Sequence, residues 1–201
     1  DSSTSRGLGD VYKRQYLFRV METGHLEHLY YGRKIHPAID GLMEQHAFAP
    51  GNTNIYDSEH LQFSLEDACL EMSSFGKGDI REPFVELTLS DGSETSDFLF
   101  EKFEQGTGKE EFETLPGSYD ESGEVEWLGV TLRDKNSGVI LELHYYVYED
   151  CDVITRSAKL INESGDVVKL NRLMSLQLDL EPSDYVFTTF HLSLIHISEP
   201  T

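Results

Sequence analysis

The sequence predicts an all-β protein, a large antiparallel β-sandwich with few helices. Its longest segments alternate apolar and polar residues with a period of two, as half-buried strands do. Short groups of Gly, Asp, Asn and Ser separate these segments, and such groups are typical of turns between antiparallel strands. Long strands joined by short loops favour two sheets packed face to face around one core.

The two ends of the chain are related in a way that folding does not explain. One choice of codons for Leu192–Thr201 has a reverse complement that encodes Arg6–Gln15 residue for residue, and this DNA string resembles the transposase adapter used in shotgun sequencing. We therefore interpret Asp1–Gln15 and Leu192–Thr201 as adapter-derived tails that are not native. The native part is expected to be one large domain, Tyr16–His191.

The native part begins with a predicted hairpin. Tyr16–Met21 and His25–Gly32 alternate in polarity on either side of the short turn Glu22–Gly24. Lys34–Glu59 follows as a long excursion that contains several Pro, Gly, Asn and Asp residues. A loop of this length inside a compact domain is usually functional or mobile.

The middle of the chain is less regular. Ser64–Met72 fits a helix capped by its first residue and fits a strand about equally well, so both alternatives stay open. Pro83–Leu89 alternates in polarity and leads into Ser90–Ser93. The Asp-Gly pair in this group suits the positive backbone angles of a tight turn.

The last third predicts a meander of four long strands, each rich in Val, Leu, Ile and Tyr. Short polar loops separate the strands, which favours pairing between neighbours in the sequence. The predicted strands are Glu124–Asp134, Val139–Asp150, Val153–Asn162 and Val167–Leu180.

Composition excludes several classes of partner. The chain has 37 acidic and 16 basic residues, a net charge of −21, which disfavours nucleic acid and anionic membrane because both would be repelled. No apolar run approaches the roughly 20 residues that span a bilayer. Cys69 and Cys151 are too few for the disulfide framework of a small secreted domain. We expect them to be buried thiols in a reducing compartment, and the protein to be cytoplasmic.

Residue patterns that could carry chemistry are weak, and no metal or cofactor is predicted. His25 and His28 would share one face of a helix, but a strand sends this spacing to opposite faces. Gly76–Asp79 lacks the wider glycine spacing of a phosphate-binding loop and is expected to be a turn. Acidic pairs such as Glu124 and Glu126 are expected to be solvated. Aromatic residues of the strands could stack on sugar rings or simply favour strands; they are Tyr30, Tyr31, Trp127, Tyr145, Tyr146 and Tyr148.

A series of six motifs runs through nearly all of Tyr16–His191. The motifs, in order, are "HLEHLYYGRKI", "FSLEDACLEMSSFGKGDIREP", "TLPGSY", "LELHYYVYEDCDVITRSAKLIN", "LMSLQLDL" and "DYVFTTFH". This series resembles the amino-terminal domain of bacterial alpha-galactosidases of glycoside hydrolase family 36, and "GDIREP" followed much later by "YEDCDVITRSA" is its most specific part.

This resemblance implies a fold and an activity for a longer parent protein. In the family, the domain is an antiparallel β-supersandwich of the galactose-mutarotase-like kind, it precedes a (β/α)8 catalytic barrel, and many members are tetramers. The family hydrolyses terminal alpha-galactosides such as melibiose and raffinose with retention, using two barrel carboxylates about 5 to 5.5 Å apart. The chain is therefore expected to be truncated before the barrel, to contain no catalytic residue, and to be inactive alone while supporting the barrel and the oligomer.

The resemblance also suggests where this domain could touch substrate. In some members a sandwich loop reaches the active site of a neighbouring subunit, and the counterpart here is the excursion around "EQHAFAPGNTN". Gln45, His46 and Asn52 are the candidate substrate-binding residues, although Gln45-His46 stands where the family has an Asp-Arg pair. The alternative is that this loop packs against the barrel or a sister subunit. An alternative for the whole chain, from another class, is a stand-alone carbohydrate-binding or interaction module.

Overall fold

The structure consists almost entirely of β-strands. The computed structural model describes residues 5–7, 14–35, 42, 54–111, 117–180, 184 and 186, and the helical element among them that spans several residues is a single 3-10 turn, Leu65–Asp67. The strands are β1 (Ser5–Gly7), β2 (Arg14–Val20), β3 (Leu26–Arg33), β4 (Val85–Thr88), β5 (Phe98–Thr107), β6 (Glu126–Asp134), β7 (Ile140–Tyr148), β8 (Val153–Ile161) and β9 (Lys169–Leu173). Within these ranges, no helix is long and apolar enough to cross a bilayer.

The strands form three antiparallel sheets. The order is β5-β6-β7-β8 in the largest sheet, β1-β2-β3 in the second and β4-β9 in the third. Apolar side chains from all three sheets meet in one core, because alternate residues of each strand point to the same face. Leu132, Leu141 and Val85, which come from different strands, are each at most 1% exposed. The predicted all-β sandwich is therefore confirmed.

The first predicted hairpin is confirmed. Strands β2 and β3 pair on either side of a turn in which the Met21 amide donates to the His25 carbonyl at 2.8 Å. Gly24 takes a backbone φ of +89° there, a conformation that glycine adopts without strain. Residues 5–7, from the tail interpreted as adapter-derived, pair with β2 through β1, since the edge of a sheet accepts any extended segment.

Strand β5 was not predicted, and a bulge explains why. The register with β6 shifts between Phe100 and Lys102. Phe100 and Phe103 therefore both pack against the core, although their odd spacing would put them on opposite faces of a regular strand. The alternation that reveals a strand in a sequence is interrupted at this point.

The predicted meander of four strands is correct for three of them and wrong for the last. Strands β6, β7 and β8 pair in sequence order, but β9 pairs with β4 and spans only Lys169–Leu173. Val85 and Leu87 of β4 are fully buried, so the backbone groups of β4 need a partner. Strand β9 supplies these hydrogen bonds, and alternation within a strand does not indicate which strand lies beside it.

The segment Ser64–Met72 combines the two alternatives left open by its sequence. Its first part is the 3-10 turn, in which the Ser64 side chain makes no capping hydrogen bond. Its second part forms an isolated antiparallel bridge between Leu70 and Glu27 of β3, and the Cys69 carbonyl accepts from the His28 amide at 2.7 Å. The buried apolar residues explain this change, because 65 and 68 follow a helical spacing whereas 68, 70 and 72 alternate.

The two cysteines are less buried than predicted. Cys69 is half-buried, Cys151 is exposed, and the two are not bonded to each other. Cys151 lies in the turn between β7 and β8, where Asp152 has a φ of +58°. Cys151 was expected to be buried because an apolar segment precedes it, but that strand, β7, ends at Tyr148.

Candidate functional site

The segment Ser64–Arg81 contains most of the second family motif, and charged side chains hold it against the sandwich. Three clusters carry these contacts, and they are centred on Glu71, Asp97 and Arg81. The first two central side chains are at most 2% exposed. A buried charge is costly unless it is paired and hydrogen-bonded, so the partners of each cluster decide what it can do.

The Glu71 carboxylate accepts hydrogen bonds from four side chains. Tyr16 and Tyr145 each donate a hydroxyl at 2.7 Å, His28 lies at 2.9 Å through Nδ1, and an Nη of Arg156 lies at 3.3 Å. An ionised carboxylate can only accept, so Nδ1 of His28 carries the proton. The other Nη of Arg156 donates to the Glu71 carbonyl at 2.7 Å. The cluster joins Glu71 to strands β2, β3, β7 and β8.

This environment keeps Glu71 ionised. Burial alone would raise the pKa of Glu71, but the hydrogen bond from His28 and the charge of Arg156 outweigh it, and the pKa lies below its usual value. Burial, together with the Glu71 charge, raises the pKa of Tyr16 and Tyr145 far above the usual range. Both tyrosines therefore remain neutral donors to the carboxylate at physiological pH.

Asp97 forms a second buried cluster below the Gly76–Asp79 turn. Its carboxylate accepts from Tyr56 at 2.9 Å and lies 3.1 Å from Nε2 of His25 and 4.0 Å from Nζ of Lys77. Burial would raise the pKa of Asp97, but the hydrogen bond and charge of His25 outweigh it, so that the pKa is lowered. The Lys77 ammonium also lies 4.8 Å from the ring centre of Tyr56.

Arg81, from the "GDIREP" motif, ties both ends of the segment together. Its guanidinium binds the Asp79 carboxylate through two bonds of 2.9 and 3.0 Å and donates to the Ala68 carbonyl at 2.6 Å. It also donates to the Leu65 carbonyl and forms an ion pair with Asp179. Burial would lower the pKa of Arg81, but the two aspartates outweigh it and raise the pKa.

These arrangements are structural in character. Each central carboxylate is buried and already accepts hydrogen bonds from side chains of the fold, which leaves it poorly placed to take a substrate proton or to bind a metal. Among the described residues, no group of three or more potential ligands could hold a metal ion. His25 and His28 bind different carboxylates, and Lys77 faces Asp97, which leaves it unsuited to cradle a phosphate.

The structure also shows the positions of other candidate residues from the sequence analysis. Glu124, Glu126, Glu149 and Asp150 are exposed, as predicted for solvated acids. The proposed sugar-stacking aromatics do not share an open face: Tyr145 and Tyr146 are 1% and 2% exposed and, as strand neighbours, point to opposite sides. The candidate substrate-binding residues Gln45, His46 and Asn52 lie outside the described residues, and their role stays a prediction.

The sequence analysis did not predict the buried roles of Glu71 and Asp97. A faint signal exists for Glu71, which stands between Leu70 and Met72 in a run of buried residues. An acid at such a position needs partners, but sequence spacing does not identify them. The two tyrosines and Arg156 come from strands far away in the chain.

The lowered pKa values predict acid lability. Above their unfolded-state pKa values, about 4.3 for Glu and 3.9 for Asp, Glu71 and Asp97 stabilise the folded chain. As pH falls through the lower folded-state pKa values, this contribution disappears because the unfolded state binds more protons. We expect the free energy of unfolding, measured with urea, to change little between pH 7 and 5 and to fall below about pH 4.5. A value that stays constant down to about pH 3 would contradict this expectation.

Comparison with known proteins identifies the chain. The sequence profile of the Glycosyl hydrolase family 36 N-terminal domain matches residues 24–191. Alpha-galactosidase AgaA of Geobacillus stearothermophilus is 31% identical over 182 residues, which are 86% of this chain and 24% of AgaA. Alpha-galactosidase Mel36A of Lactobacillus acidophilus is 30% identical over 87% of this chain and 24% of its own length.

Solved structures agree with these relatives. The alpha-galactosidase from Lactobacillus brevis superposes with a TM-score of 0.81 at 31% identity, over 89% of this chain and 24% of that one. AgaA in complex with stachyose gives a TM-score of 0.77 at 29% identity, over 87% and 24% of the two chains. The chain thus spans about a quarter of the length of these relatives. It belongs to the glycosyl hydrolase family 36 N-terminal domain family.

Proposed function

We propose that the chain is the non-catalytic N-terminal domain of a retaining alpha-galactosidase that hydrolyses terminal alpha-galactosides of the melibiose and raffinose type. The domain supports a catalytic barrel and a homo-oligomer, expected to be a tetramer, in the cytoplasm. The relatives in the comparison are alpha-galactosidases, and structures of AgaA contain stachyose and raffinose. The chain matches a family N-terminal domain and covers about a quarter of these relatives, which favours an auxiliary role beside the catalytic domain.

One observation carries this proposal within the chain itself. The carboxylates of the family motif take part in buried hydrogen-bond networks. Glu71 is fully buried and accepts hydrogen bonds from four side chains. Glycoside hydrolysis needs two carboxyl groups that flank an accessible sugar. The Glu71 and Asp97 side chains are at most 2% exposed, so a sugar cannot contact either carboxylate.

The excursion is the place where this domain would contact substrate. Gln45, His46 and Asn52 are proposed to contact an alpha-galactoside bound in the barrel of a neighbouring subunit. This role belongs to the assembled enzyme, so their replacement by alanine would alter KM of the full-length protein without any effect on a chain that lacks the barrel.

The purified 201-residue chain is expected to be inactive. Incubation with a nitrophenyl alpha-galactoside should release no nitrophenol above the buffer rate, because the paired carboxylates of a retaining glycosidase are proposed to lie in the catalytic barrel. AgaA assayed in parallel is the positive control. Activity that remains constant through successive purification steps would overturn the proposal. Clear calorimetric binding of galactose or raffinose by the chain alone would instead favour a carbohydrate-binding module.

A further inference from the structure

Lys77 has an unusual backbone conformation. Its φ is +61°, and the flanking Gly76 and Gly78 have φ values of +93° and +81°. Glycine adopts such angles without steric cost, whereas a residue with a Cβ atom is strained there. Among the described residues, Asp152 is the only other non-glycine residue with a positive φ. Strained residues cluster at functional sites, so the contacts of the Lys77 side chain need an explanation.

The Lys77 ammonium joins two separate parts of the chain. Its Nζ lies 4.0 Å from Oδ2 of Asp97, just before β5, and 4.8 Å from the ring centre of Tyr56. The Lys77 side chain is 27% exposed and that of Asp97 only 2%. Because the ammonium is partly withdrawn from water, both attractions are stronger than at an open surface. The Tyr56 hydroxyl donates to the same Asp97 oxygen at 2.9 Å, so the three side chains contact one another.

Tyr56 lies where the excursion Lys34–Glu59 returns to the sandwich. Its amide donates to the Phe63 carbonyl at 2.9 Å. Two residues earlier, the Asn54 carbonyl oxygen lies so close to Gly78 that a Cβ atom there would be 3.4 Å from it. The strained turn therefore contacts the returning end of the excursion twice, through its backbone and through the lysine side chain.

We propose that Lys77 is a positioning residue for the excursion and, through it, for the alpha-galactoside that the excursion is proposed to contact. This inference rests on the proposed function. Asn52, a candidate substrate-binding residue, precedes Asn54 by two residues, and two residues of extended chain span at most about 7 Å. A shift of Asn54 and Tyr56 therefore reaches Asn52. Small displacements of a group that contacts substrate have large effects on its interaction with that substrate.

A purely stabilising role explains the strained lysine less well. Asp97 stays paired without Lys77, because Tyr56 and His25 still contact its carboxylate at 2.9 and 3.1 Å. Lys77→Gly would also relieve the strain of the turn. The contact that the lysine adds beyond these is the one with the Tyr56 ring, at the end of the excursion.

The first experiment separates the charge of Lys77 from its strain in the 201-residue chain. Lys77→Met removes the ammonium and keeps the strained backbone, whereas Lys77→Gly removes both. We expect the Tyr56 amide to exchange with solvent at least about threefold faster in both variants. Lys77→Gly should nevertheless keep Tm within about 2 °C of the unsubstituted chain. Asp152→Gly, which relieves the other strained residue, is the matched control and should leave exchange at Tyr56 unchanged.

Three results of this experiment would overturn the inference. Unchanged exchange at Tyr56 in Lys77→Met would show that the ammonium does not hold the excursion. A larger fall in Tm for Lys77→Gly would assign Lys77 to overall stability. Equal acceleration in Asp152→Gly would show that exchange at Tyr56 does not report on the contacts of Lys77.

The second experiment tests the link to substrate in the full-length protein. We expect Lys77→Met and Lys77→Gly each to raise KM for raffinose by about threefold or more and to leave kcat within about twofold, because binding to substrate and transition state weakens equally. A general loss of folded protein would lower the apparent kcat and leave KM unchanged. Asp152→Gly should alter neither constant.

The outcomes distinguish this inference from the proposed function. A full-length protein that hydrolyses raffinose with the same KM in all variants would overturn the inference and leave the proposed function standing. A full-length protein without alpha-galactosidase activity before any substitution would contradict the proposed function, and the role of Lys77 in substrate binding would fall with it.

Discussion

Replacement of Glu71 by glutamine is expected to lower the free energy of unfolding by about 3 to 5 kcal/mol. Glutamine retains one acceptor oxygen, but its amide group would face donors at the position of the second oxygen. The Tyr145 hydroxyl can rotate to accept a hydrogen bond, whereas the Arg156 guanidinium cannot accept one. Arg156 is only 5% exposed, so its charge would remain buried without a counter-ion. Urea unfolding at pH 7 would measure the loss.

A matched substitution on the surface shows whether the loss of stability comes from the buried position of Glu71 or from the removal of any carboxylate. Glu126→Gln changes an exposed glutamate of β6, and we expect it to alter the free energy of unfolding by less than about 0.5 kcal/mol. Equal losses for the two variants would show that the Glu71 cluster has no special role.

The cost of Glu71→Gln should depend on Arg156. If the buried positive charge causes the loss, Glu71→Met combined with Arg156→Met removes both charges and should be less destabilising than the sum of the two single changes. We expect a coupling energy of about 1 kcal/mol or more in this double-mutant cycle. Strict additivity would contradict the assignment of the loss to an unpaired guanidinium.

The parts of the fold that were predicted are those fixed by local pattern. The turn at Gly24 and the alternating strands on either side of it follow from residues close together in sequence. Strand β5 was missed because a bulge after Phe100 breaks its alternation. Strand β9 was assigned to the wrong neighbour because pairing with β4 depends on the burial of Val85, which is a property of the whole sandwich.

The sequence revealed the candidate site only as a family motif and did not reveal the contacts that its side chains make. "GDIREP" indicated the family, but the physical role of Arg81 depends on its partners, and one of them, Asp179, lies almost a hundred residues later in the chain. Similarly, the strand spacing of His25 and His28 argued against a shared metal site, but it did not reveal that each binds a buried carboxylate from another part of the fold. Long-range ion pairs leave no periodic signal in a sequence.

Replacement of Arg81 by lysine should therefore be far from conservative. A lysine ammonium cannot bind both oxygens of Asp79 and also reach the Ala68 carbonyl and Asp179, because it is a single point of donation on a flexible stem. Bonds that involve a charged group contribute about 1.5 to 3 kcal/mol each, but the Arg81 and Asp179 side chains are 23% and 29% exposed, so water replaces part of the loss. We expect Arg81→Lys to lower the free energy of unfolding by about 2 kcal/mol.

The same substitution should have a local signature that distinguishes anchoring from general destabilisation. The Leu70 amide donates to Asp179 at 3.4 Å, and the Ala68 amide donates to the Leu65 carbonyl at 3.3 Å, so both amides should exchange faster with solvent when Arg81 no longer holds the segment. Arg172→Lys is the control, because Arg172 pairs with the exposed Glu82 and such surface pairs contribute at most about 1 kcal/mol. If both lysine variants lost equal stability, or if exchange at 68 and 70 did not change, the anchoring role of Arg81 would be refuted.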